Sequence, residues 1–163
     1  MVEVFGIPII AGSKFVDKIG SQRLNHVASI MAELLDQDGD GCADDPNVLR
    51  NILTKVTKHG MTGRPSLVLP NKSATMAAGK AMAGKGFLFG QDLNFGEIKP
   101  KCSGLHNTPN CVDASTEEVL HFITSFGQSK AYSNIFGTSW QAPSSLTKAM
   151  DIARYFFGFN FPY

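Results

Sequence analysis

The chain has little of several things, and each shortage narrows what it can be. Charged residues are 18% of its 163 residues, and Lys+Arg 15 almost balance Asp+Glu 14. With no net field of either sign, neither nucleic acid nor an anionic membrane surface is expected as a partner. Long apolar runs are lacking too. Phe5 to Ala11 is one of the longest and falls far short of the roughly 20 residues that cross a bilayer. No basic segment followed by an apolar core opens the chain, so a secreted protein is expected here in its mature form.

Cysteine is scarce: three residues cannot make a disulfide scaffold, and a chain this long can bury a core without one. Cys102 and Cys111 bracket a loop containing Gly104, Asn107, Pro109 and Asn110. They can close as a disulfide, which implies an oxidising compartment, or remain two loop thiols. Cys42 is left over, either free or paired with a residue outside this sequence. The sequon Asn71-Lys72-Ser73 suits a surface loop of a secreted protein.

The sequence does hold the patterning of a globular α+β protein, one compact domain over residues 1–163 with several helices packed on a small sheet. Hydrophobic residues are 43% of it, with no internal repeat and no linker. Phe5 to Ala11 reads as a buried strand that Pro8 assigns to an edge. Leu24, Val27, Ala28, Met31, Leu34 and Leu35 recur at three and four, which predicts a helix with His26 on its polar side. Asp45-Pro46 predicts a second helix, carrying Val48, Leu49, Ile52, Leu53 and Val56 and ending at Gly60. Short strands are expected over Ser66 to Pro70 and Gly86 to Gly90, with a small-residue helix over Ser73 to Ala83 between them. Further helices are expected from Asp113 through Phe126, apolar on most faces, and after a cap at Ser144 or Ser145. Phe136, Trp140 and the aromatic tail from Tyr155 to Tyr163 are assigned to packing rather than to a site.

Two constellations carry chemistry. The first is Asp36-Gln37-Asp38-Gly39-Asp40-Gly41-Cys42-Ala43-Asp44-Asp45, with carboxylates on alternate residues of a glycine-turned loop. Such spacing aims several oxygens at one hard cation, and calcium is the expected ion. The ligands would be Asp36, Asp38, Asp40, Asp44 or Asp45, and the Cys42 carbonyl. The loop follows the first half of an EF-hand, but Asn47 stands where the closing Glu belongs, so it is closer to the Asp-rich loops of thrombospondin type 3 repeats. A solvated acidic turn is the plainer alternative. Calcium here would be structural, clamping the first helix to the second.

The second constellation is Glu117-Glu118-Val119-Leu120-His121, an H-E-x-x-H spacing with Glu in place of the first His. Positions one and five lie one helical turn apart and can grip one zinc, while position two activates its water. Glu117 and His121 would then be ligands and Glu118 the general base. His26 is the best third ligand, ahead of His106 and His59. Against this, Ser115-x-x-Glu118 is also a capping box, which would make Glu118 a helix cap.

The opening Phe5-Gly6-Ile7-Pro8-Ile9, the helix with His26, the loop ending in Asp45-Pro46 and the helix from Asp113-Ala114-Ser115 to His121 resemble a family of extracellular, metallopeptidase-like proteins of marine invertebrates and bacteria. Ala149-Met150-Asp151-Ile152-Ala153-Arg154 extends the resemblance towards the end of the chain. It implies that His26, Glu117, Glu118 and His121 are the family's recurring residues, and that members continue beyond the position of Tyr163. Two functions follow. One is a secreted, calcium-binding, zinc-dependent hydrolase; the other is a non-catalytic, calcium-stabilised extracellular matrix or interaction protein. Metal ions are the expected partners, and no protein or peptide partner is indicated.

Overall fold

Two short hairpins frame the sheet, each turned by a pair of residues with positive φ. In the computed structural model, which describes residues 1–71, 80, 82–103, 108–137 and 143–157 (side chains of the last helix to 152), β1 (Val2–Val4) folds back on β2 (Ile7–Ala11). The turn is Phe5-Gly6, with φ of 49° and 80°, the pattern of a type I′ hairpin whose twist matches that of the strands. The single strand expected over Phe5 to Ala11 therefore begins two residues later. It is also not an edge, because β2 lies between β1 and the long strand β4 (Met61–Leu69).

Pro8 is tolerated there by register. Val4 pairs with Ile7 across the tight turn, which makes Glu3 and Pro8 the next, non-hydrogen-bonded pair. The proline nitrogen thus faces the β4 side, where pairing starts only at Ile9 with Leu67. No ladder bond is lost.

α1 (Lys18–Leu35) begins where the Asp17 carboxylate accepts a bond from the Gly20 amide at 2.7 Å. Of its predicted stripe, Val27, Met31 and Leu35 are buried, while Leu24, Ala28 and Leu34 pack partly buried against the core. α2 (Pro46–Leu53) starts at Asp45 as expected but stops at Leu53 rather than Gly60. Val56 belongs instead to β3 (Val56–Lys58), which turns through His59 (φ 52°) and Gly60 (φ 72°) into β4. β-branched Val56-Thr57 beside a turn-forming pair outweighs helical spacing that ran three residues too far.

β4 is the centre of the five-stranded mixed sheet, parallel to β2 and to β5 (Phe87–Asp92) and antiparallel to β3 at its start. The strands expected over Ser66 to Pro70 and Gly86 to Gly90 fall on β4 and β5 except for Pro70 and Gly86, which lie just outside them. The small-residue helix expected over Ser73 to Ala83 falls largely outside the described residues, as do Trp140 and His106.

α3 (Ser115–Ile123) crosses the sheet close to β5: a Cβ on Gly90 would stand 2.8 Å from the Phe122 ring, which is fully buried. Its path continues through a π-helical turn at Thr124–Gln128 and a short helical stretch, Ser129–Ala131, to α4 (Ser133–Phe136). α5 (Ser145–Phe157) opens on a reciprocal cap. Ser144 Oγ accepts from the Thr147 amide at 3.1 Å, and the Ser144 amide donates to Thr147 Oγ1 at 2.9 Å. The core joins sheet to helices through Ile7, Ile9, Leu67 and Leu69 on one side and Val27, Met31, Ile52, Val119 and Phe122 on the other.

The π-helical turn is where α2 docks. A Cβ on Gly127 would lie 2.6 Å from Val48 Cγ1 and 3.0 Å from Ile52 Cδ1, so the glycine is there for close approach. Gly127→Ala should therefore lower stability by about 1–3 kcal/mol. Urea denaturation monitored by circular dichroism measures this, and an unchanged midpoint would contradict the packing.

Candidate metal centre and the polar face of helix α3

The Asp-rich loop leaves α1 at Asp36 and is closed on itself by the Asp44 amide, which donates to the Leu35 carbonyl at 2.8 Å. Inside the loop the carboxylates gather amides. Asp36 accepts from Asp40 N at 3.1 Å and from Gly41 N at 2.9 Å; Asp40 accepts from Cys42 N at 2.7 Å. Gly39 and Gly41 have φ of 72° and 86°, a conformation in which most side chains would be strained. These bonds turn the chain so that one carboxylate oxygen from each of Asp36, Asp38 and Asp40 lies within 4.8 Å of the other two. Oxygens bound 2.3–2.6 Å from one calcium ion are at most about 5 Å apart, so the three fit a shared ion. Among the described residues this is the one such set of three acidic, His or Cys side chains.

The other residues expected at this site do different things. Asp44 accepts from the Gln37 amide at 2.9 Å. Asp45 faces away from the cluster in its bonding: Oδ1 caps α2 through the Asn47 and Val48 amides at 2.9 and 3.0 Å, and Oδ2 accepts from the Tyr132 hydroxyl at 2.8 Å. Burial pushes its carboxyl up, but the Val48 amide, the Tyr132 hydroxyl and the Asn47 amide together hold it below the ordinary range. Cys42 is exposed with a free thiol, and Cys102 and Cys111 form the disulfide, Cα atoms 5.2 Å apart.

His26 is committed to a partner that sequence reading did not assign to it. Its Nε2 lies 2.7 Å from Asp113 Oδ2, while Asp113 Oδ1 accepts from the Lys99 amide at 2.9 Å and the Ser115 hydroxyl at 2.7 Å. The Asp113 side chain is 1% exposed. Burial alone would raise its carboxyl; the bonds from His26, Lys99 and Ser115 reverse that and lower it. The tripeptide Asp113-Ala114-Ser115 was legible as a helix opening, but nothing local pointed to a residue 87 positions away.

On α3 the Glu-Glu-x-x-His residues separate onto different faces. Glu117 Oε1 and His121 Nε2 are 3.7 Å apart, with side chains 70% and 38% exposed. Both line a groove of about 380 Å³ between α3, the π-helical turn and α4–α5, walled by Leu120, Phe136, Leu146 and Met150. Glu118 does not line it. Its carboxylate accepts from the Gln91 side-chain amide on β5, so it neither caps α3 nor faces the groove. The capping box weighed as the alternative is absent: Ser115 is already helical and the residue before it, Ala114, offers no side-chain cap. Partial burial raises the Glu118 carboxyl; Gln91 and His121 oppose this, and Glu117 and Glu97 add to it. His59 is in the β3–β4 turn. His26, Glu117 and His121 are not brought together as three ligands of one ion.

No family model, curated protein or solved structure matches this chain.

Because the fold lowers the Asp113 carboxyl, its contribution to stability is whole above the unfolded value near pH 4 and is lost as pH falls through the lower folded value. Asp113→Asn should cost about 2–4 kcal/mol at pH 7, with the gap to wild type narrowing below about pH 4. Denaturant titrations across pH 2–7 (approximately the range of carboxylate ionisation) would show a constant gap if the pairing were unimportant.

Proposed function

We propose that this chain is an extracellular calcium-binding domain in which one ion, held by Asp36, Asp38 and Asp40, fastens the end of α1 to the start of α2, and in which the metal is structural. The observation that carries the reading is the convergence of three carboxylate oxygens within 4.8 Å in a loop already turned by two left-handed glycines. Calcium suits it because the donors are all oxygen and the exposed side leaves room for the waters of a six- to eightfold shell. The Cys102–Cys111 disulfide is compatible with an oxidising compartment, where extracellular calcium is abundant enough for a weak site to fill. No described helix is long and apolar enough to cross a membrane.

A non-catalytic role is favoured over the hydrolase by two contacts. His26 is held by Asp113, and Glu118 is turned to Gln91 and away from the groove. One observation supports a zinc hydrolase of the metallopeptidase-like kind as the second reading: Glu117 and His121 stand 3.7 Å apart on the groove wall. Metal analysis after dialysis separates the two. Calcium without zinc uptake supports the structural domain, whereas about one zinc per chain bound through Glu117 and His121 supports the hydrolase.

Calcium at a hundred times its Kd should stabilise the chain by about 2.7 kcal/mol, a rise in Tm of roughly 5–10 °C over the EGTA-treated protein. Asp38→Ala with Asp40→Ala should abolish that rise, and an unchanged rise would sink the assignment. Glu118→Gln supplies a separate test. The fold raises the Glu118 carboxyl, so its ionised form is disfavoured and stability is lost as pH rises through the folded value. The variant should match or exceed wild type in Tm at pH 7 and lose that edge below about pH 4; a hydrolase would lose its activity with the fold intact.

A further inference from the structure

We propose that the groove between α3 and α5 is a binding site for a small amphipathic organic cation, an apolar body carrying an ammonium head. Its volume of about 380 Å³ falls in the range of small-molecule sites, roughly 300–1,000 Å³. Leu120, Phe136, Leu146 and Met150 give it apolar walls. Leu120, Leu146 and nearby Ile135 are left 45%, 41% and 43% exposed. Apolar surface is therefore gathered on the elements that form the groove, and an apolar ligand would remove it from water.

Charge selects the head group. Among the described residues Glu117 is the one carboxylate that lines the groove, and no Lys or Arg lines it. The Phe136 ring lines the same groove, and aromatic faces attract cations. A carboxylate ligand would find the same walls with a like charge at the rim. The site shares no residue with the calcium loop and does not include Glu118.

The test uses two ligands of one shape and opposite charge, 4-phenylbutylamine and 4-phenylbutyrate, titrated into the calcium-loaded protein and followed by amide chemical shifts. The amine should saturate shifts at Leu120, His121, Thr124 and Met150 and bind at least about threefold tighter than the acid, the scale expected of one largely exposed charge pair. Glu117→Gln, on an exposed helical position, should keep the fold and erase that preference while the groove residues still shift. Equal binding of amine and acid, shifts confined to other surfaces, no saturable shifts, or a preference that survives Glu117→Gln would each overturn the proposal. Repeating the amine titration with the Asp38→Ala/Asp40→Ala chain tells a failed groove from a failed calcium site, because the groove should still bind.

Discussion

A carboxylate removed from water destabilises a fold unless donors replace the solvent it has lost, and Asp113 is the place where this chain meets that demand most fully. Its two oxygens take His26 from α1, the Lys99 amide from the preceding loop and the hydroxyl of Ser115 at the start of α3. One side chain thus ties α1 to the start of α3 and sets the angle at which α3 enters the core. Everything α3 presents follows from that angle: Phe122 to Gly90 of the sheet, Glu118 to Gln91, and Glu117 with His121 to the groove. The disulfide at Cys102–Cys111 closes the same connecting loop, which shortens the free chain between Lys99 and Asp113 and so favours the register in which both can meet.

A second chain of contacts runs from the Asp-rich loop to the groove. Asp45 ends the loop, caps α2 and accepts from Tyr132, which precedes α4. α2 in turn rests Val48 and Ile52 against Gly127 in the π-helical turn. The carboxylates of Asp36, Asp38 and Asp40 are held together by amides that only partly offset their mutual repulsion. A cation in their midst would remove that repulsion and stiffen the junction between α1 and α2. Its effect would reach Tyr132 and Gly127 through packed contacts, without any rearrangement of the sheet.

What was legible in the sequence was what is local. Alternating Asp with two glycines describes a loop whose bonds span at most nine residues, and Asp45-Pro46 describes a cap that reaches three residues on. The amphipathic stripe of α1 was legible for the same reason. Two hairpin turns were missed because Phe5-Gly6 and His59-Gly60 lack the Asn or Asp that usually marks a type I′ turn. The partners of His26 and Glu118 were out of reach altogether: 87 and 27 residues separate them from Asp113 and Gln91, and only the packing of α1 and β5 against α3 brings them together. A motif read along one helix could not reveal that its second Glu belongs to the sheet.

The division of α3 also bears on what a zinc-like spacing implies on its own. Residues at positions one and five of the motif share a face by helical geometry alone, so Glu117 and His121 stand together whatever their role. Catalysis needs more: a third ligand, and a base near the bound water. Here the residue expected as third ligand is hydrogen-bonded to a buried carboxylate, and the expected base is hydrogen-bonded to β5. Moving either one would break a contact that positions α3 itself, so the arrangement is coupled to the fold. The pair left on the groove wall keeps one carboxylate beside apolar side chains, which is the arrangement that the proposed cationic ligand would use.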